Sequence, residues 1–124
     1  MFTLMGLDTS HNCWHGAYSS FNRWRKKLAE VAGYGDLDQY KGFDGSKDWP
    51  QKGIIEKLLN HSDCDGTIDA ADCTPLAAAL EILLPALEVA GDGGGHIGDY
   101  ASKTKQFIEG LREAASAGEY VDFN

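Results

Sequence analysis

Positive charge is what this sequence has least of: eleven Lys and Arg stand against nineteen Asp and Glu, a formal net charge of −8 over 124 residues. Affinity for a nucleic-acid backbone comes from basic side chains displacing counterions, so nucleic-acid backbone binding is disfavoured. Cysteine is sparse and odd in number, three in all, which fits a reducing compartment and no disulfide framework. The start of the chain lacks the basic, apolar-cored pattern of a leader and any lipidation motif, so the expectation is a cytoplasmic protein with no membrane partner. No apolar run is long and clean enough to predict a bilayer span. The longest, Pro75–Ala90, is interrupted by Glu81, Pro85 and Glu88. Internal repeats and low-complexity tracts are absent.

What is present predicts a single domain over 1–124, long enough to bury its own core. Its fold class is mainly α: a compact bundle of about four helices around a buried central helix (75–90), with a small terminal two-stranded β-ribbon. In the central run, PLAAALEILLPALEVA, Glu81 and Glu88 share one narrow stripe and apolar side chains cover the rest of the circumference. Thr74-Pro75 reads as its start and Gly91 as its stop, and Pro85 removes an internal hydrogen bond and predicts a bend.

Ala17, Phe21, Trp24, Leu28 and Val31 recur at helical spacing and predict a helix from Ala17 to Ala32. The Gly- and Asp-rich stretch from Tyr34 to Trp49 reads as a structured loop with exposed aromatics and short 3₁₀ turns. Trp49-Pro50 opens a helix predicted from Gln51 to Asn60. The last helix is predicted from Asp99 to Ala117, with Tyr100, Thr104, Phe107, Ile108 and Leu111 inward. Gly110 within it signals a close helix–helix approach. Gly93, Gly95 and Gly98 read as a flexible connection before that helix. The terminal segments FTLMGLD and EYVDF are expected to pair as the ribbon.

Chemistry concentrates in HSDCDGTIDAAD, residues 61–72. With Gly66 at loop position six, Asp63 and Asp65 fall at three and five. Thr67 then offers its carbonyl at seven, and Asp69 and Asp72 fall at nine and twelve. The segment resembles an EF-hand loop, closer to the variant found in dockerin modules. His61 departs from the pattern at position one, because a neutral imidazole is a poor ligand for hard Ca2+. Two other readings use the same residues. In one, Gly66 supplies a left-handed turn and Asp69 or Asp72 caps the following helix. In the other, His61, Cys64 and Cys73 ligate Zn2+ with an Asp.

The zinc reading draws on His11, Cys13 and His15. If extended, this segment projects all three side chains to one face, and as a helix only the two histidines. Cys13 beside an imidazolium would also be a candidate nucleophile, so a metal- or thiol-dependent enzyme uniting His11, Cys13 and His15 with His61 and Cys64 is the enzymatic alternative. Cys64, between Asp63 and Asp65, is the poorer nucleophile. Trp14, Tyr18, Arg23, Trp24 and Arg25 form a candidate ligand or partner patch on and just ahead of the first helix.

CWHGAYSSFNRWR, HSDCDG and FIEGLREAASAGEYVDF together resemble a group of short proteins encoded by bacteria and their phages, for which no activity is established. The resemblance implies a free-standing domain and suggests an inhibitor of a host system that binds a protein or captures a nucleotide. The leading expectation from the residues is a small acidic binding or regulatory module with a candidate metal-binding loop at 61–72.

Overall fold

The computed structural model describes residues 6–41, 45–51, 53–61, 66–90 and 100–123. Four helices lie among them: α1 (Tyr18–Val31), a single-turn α2 (Glu56–Leu59), α3 (Ala70–Ala90) and α4 (Tyr100–Ala117). Two small antiparallel ribbons complete the fold, β1 (Gly6–Asp8) with β2 (His15–Ala17) and β3 (Thr67–Ile68) with β4 (Val121–Asp122). The protein is thus mainly helical, with α3 packed along α4 and α1 against α3.

The apolar stripe of each long helix explains its place. Phe21, Trp24 and Leu28 of α1, Leu76, Leu80 and Leu87 of α3, and Phe107 and Leu111 of α4 are all fully buried. At the centre Trp24 stacks on Trp14 at 5.1 Å and tilts against Phe107 at 5.0 Å. The Trp24 indole N–H donates to Thr104 Oγ1 at 2.9 Å, and that hydroxyl donates to the Tyr100 carbonyl at 2.8 Å. The buried polar atoms of this pair therefore keep partners.

Three predicted elements differ in extent. α3 begins at Ala70 instead of Thr74: Ala70 and Ala71 are strong helix formers, Asp69 and Asp72 put carboxylates at its positive end, and the helix runs on through both prolines. At 21 residues it has, by length and composition, the makings of a membrane span. α2 is only one turn, because Gln51 has a left-handed φ of 55° and its N–H donates to Glu56 Oε1 at 3.0 Å. The C-terminal strand does form a small ribbon, but with Thr67–Ile68. The N-terminal strand meets it through the single bridge Thr9–Phe123 and turns back instead onto His15–Ala17.

That reversal places the 11–15 segment in neither of the predicted conformations. Residues Ser10–Asn12 form a 3₁₀ turn with left-handed φ of 59° at both His11 and Asn12, which folds Cys13 inward. Gly110 is the close approach, to this turn and not to a helix. A Cβ there would overlap Cys13 Sγ and lie 2.7 Å from the His11 carbonyl oxygen. The Gly93, Gly95 and Gly98 connection lies outside the described residues.

Candidate functional site

Between Lys41, Asp48, Trp49 and Gln51 with α2 on one side, and the exit of the 61–72 loop with the start of α3 on the other, opens a cleft of about 940 Å³. That volume lies in the range of small-molecule sites. The first wall is aromatic at its base: half-buried Trp49 stacks on Tyr40 at 4.5 Å and 15°, and buried Tyr40 donates its hydroxyl to the Tyr34 carbonyl at 2.8 Å. Tyr34 and Tyr40 are buried rather than exposed. The Trp49 indole N–H donates to the Lys41 carbonyl at 3.0 Å, which fixes the ring's orientation. Glu56 lines the same wall. Its carboxylate accepts the Tyr34 hydroxyl at 2.9 Å and the Gln51 N–H at 3.0 Å, and burial with this carboxylate beside it drives the Tyr34 hydroxyl pKa well above its ordinary value.

The second wall is set by His61, Gly66, Thr67, Ile68, Asp69 and Asp72. Arg25, buried on α1, holds the entry to it. Its Nη1 donates to the Leu58 and Leu59 carbonyls, each at 3.2 Å, and to the His61 carbonyl, while its guanidinium lies 4.6 Å from the Phe21 ring centroid. These acceptors are carbonyls at and just beyond the end of α2, where the helix dipole favours a cation. The His61 ring packs on Phe123 with centroids 4.0 Å apart, and its Nε2 lies 2.9 Å from the Thr67 carbonyl oxygen. A carbonyl can only accept, so Nε2 carries the hydrogen.

That hydrogen bond bears directly on the calcium expectation. The Thr67 carbonyl is the oxygen a cation would take at loop position seven, and the imidazole N–H already donates to it. Asp72, at position twelve, is committed to Lys57 Nζ at 3.0 Å. Asp69 is exposed. Asp63, Asp65 and Cys64 lie outside the described residues.

Soft-metal and thiol readings meet similar obstacles. Both His11 ring nitrogens are engaged, with Ser10 Oγ and with Glu119 Oε1, each at 2.8 Å. Both of His15 are engaged too, with Asp8 and, at 2.6 Å, with Asn12 Oδ1. Cys13 is fully buried, and burial pushes its thiol up to about 12, the Thr9 hydrogen bond only partly opposing this. Cys73 is likewise buried and its thiol raised, first by burial and then by Asp72 and Asp69. Among the described residues no group of three or more His, Cys, Asp and Glu side chains could hold a metal ion.

The first-helix patch does not form as a surface. Trp14, Trp24 and Arg25 are buried, so neither indole is open to a ligand; Arg23 alone of the four is exposed, and the Tyr18 side chain lies outside the described residues. Comparison with protein-family models, with curated proteins and with solved structures gives no match for this chain. The site is therefore judged on its own chemistry. Sequence reasoning missed Trp49, Glu56 and Lys57 as cleft residues. The available signal was Trp49-Pro50 at the end of an aromatic- and Asp-rich loop, a pattern with no helical or strand period to bury it.

Proposed function

We propose that this chain is a small acidic binding module whose ligand site is the cleft between Trp49 and the start of α3, with His61 and residues 66–72 on one wall. The observation that carries the reading is the composition of that cleft. Four carboxylates, Asp48, Glu56, Asp69 and Asp72, line it against two lysines, Lys41 paired with Asp48 and Lys57 paired with Asp72, so acid exceeds base in the lining even after that pairing, with the Trp49 indole at its side. A small ligand bearing an ammonium or guanidinium group suits such a site, because carboxylates and an aromatic face both attract cations. Lys47 Nζ already stands 5.3 Å from the Tyr40 ring centroid, an internal example of the same contact.

The loop enters this reading as a wall tied by His61, in place of a calcium or zinc centre. The test is the thermal unfolding midpoint of the full chain with spermidine, with arginine methyl ester, with Ca2+, with Zn2+ and with chelator. A ligand at a hundred times its dissociation constant adds about 2.7 kcal/mol, roughly ten degrees for a domain of this size. A rise with either organic cation that is lost in Asp69→Asn, Asp72→Asn supports the cleft. A rise confined to Ca2+ or Zn2+ contradicts it and returns the metal reading to the front.

A further inference from the structure

The four carboxylates of the cleft are not equally available to a ligand. Glu56 is committed inside the protein, where it accepts from the Tyr34 hydroxyl and the Gln51 N–H. Asp48 pairs with Lys41 on its own wall, and both side chains are open to solvent, where such a pair contributes little. Asp72 differs. Its side chain is only 22 % exposed, and the Lys57 Nζ that reaches it at 3.0 Å crosses from α2 to the first turn of α3, so this pair joins the two walls of the cleft. Asp69, exposed in the same lining, carries no ion pair among the described residues. The Asp72 N–H donates to the Asp69 carbonyl at 2.9 Å, so the chain is already helical at Asp69 and the two carboxylates, three residues apart, are neighbours on one face.

We propose that Lys57 is a built-in competitor of the cleft's ligand, and that this ligand is a diamine: one ammonium group meets Asp69 and the other displaces Lys57 from Asp72. The inference rests on the cationic-ligand reading of the cleft and adds the number and kind of cationic groups. Lys57 Nζ already shows which chemistry the Asp72 subsite accepts, a primary ammonium at hydrogen-bond distance. A monoamine meets Asp69, leaves the Lys57–Asp72 pair in place and gains one contact. A diamine whose spacer matches the separation of the two carboxylates gains both. The second gain is offset by the Lys57–Asp72 attraction, so Lys57 sets how far a diamine is preferred over a monoamine. Lys57 is more than half exposed, and once displaced its ammonium passes to water without a buried charge being left behind. Lys41 has no such role, because its partner Asp48 lies in open solvent on the opposite wall from Asp69 and Asp72.

The experiment is isothermal titration calorimetry of the full chain with putrescine and with butylamine, which share a four-carbon chain and differ by one ammonium group, in wild type, Lys57→Gln and Lys41→Gln. Both lysines are more than half exposed, so the variants should keep the wild-type circular dichroism; Lys57→Met repeats the measurement should Lys57→Gln fail to fold. Lys57→Gln should tighten putrescine binding about fivefold and change butylamine binding less than about twofold. Lys41→Gln, which removes the same charge from the same cleft, should leave both amines within about twofold of wild type. Equal tightening in the two variants, equal tightening of the two amines, or unchanged putrescine affinity in Lys57→Gln would each overturn the proposal while wild-type binding keeps the cleft reading in place. Putrescine bound by none of the proteins would overturn both.

Discussion

At the scale of single residues, two positions in the N-terminal turn and α4 decide whether the aromatic core closes. Gly110 is at the contact: a methyl group there would gain about 1 kcal/mol of helix propensity and lose more to overlap with Cys13 and the His11 carbonyl. Gly110→Ala should therefore destabilise the fold by about 2 kcal/mol net in a urea titration. Adding Cys13→Ala, which removes the sulfur but not the carbonyl, should restore part of that loss. Cys13 itself carries a pH signature. Its thiol is held at about 12 in the fold against an ordinary 9.0, so its contribution is complete below pH 9. Above that the unfolded chain ionises first and the contribution is lost toward pH 12. The midpoint should fall over this window with a shallower slope in Cys13→Ala. A wild-type slope matched by the variant would show that Cys13 is not the group responsible.

Among the elements, α2 is the one that cannot stand alone. A single turn has no cooperative helix stability of its own, and its carbonyl end is held by Arg25 from α1. Arg25→Met, which keeps the apolar stem and removes the donors, should cost about 3 kcal/mol, because several buried carbonyls lose a charged partner at once. Chemical denaturation gives the value, and loss of amide protection at Leu58–His61 by hydrogen exchange would place it. The long helices were legible because α1 and α4 carry one apolar stripe each, and their ends fall within about two residues of the predicted ones. α2 was overdrawn from Ile54, Ile55, Leu58 and Leu59, whose spacing fits a helix equally well when the first two lie in a turn. Strand pairing was less legible. Two residues of alternation at the C-terminus show that a strand exists but not its partner, which lies far away in sequence at Thr67–Ile68, while the N-terminal strand closes on the nearby His15–Ala17.

For the whole molecule, charge and position give different information. The acidic middle of the sequence pointed to residues 61–72, and the described part of that loop does border the cleft. Its partners were not legible from spacing, because a carboxylate pattern does not reveal that an imidazole hydrogen is donated to the Thr67 carbonyl or that Lys57 pairs with Asp72. Burial misled in the same way for Trp14, Trp24 and Arg25, polar-tipped side chains that resemble a surface patch in sequence and form the core instead. The cleft's other wall was invisible because Trp49, Glu56 and Lys57 are brought to it by an irregular loop and a single helical turn.

The central claim is that this cleft binds a cationic ligand. It is tested most directly by a 1H–15N NMR titration of the full chain with spermidine. The account predicts that the largest shifts fall on the Trp49 indole and on the amides of Gly66, Thr67 and Asp69. It also predicts that Asp69→Asn, Asp72→Asn abolishes them. Shifts spread evenly over the acidic surface, or centred away from the cleft, would contradict it.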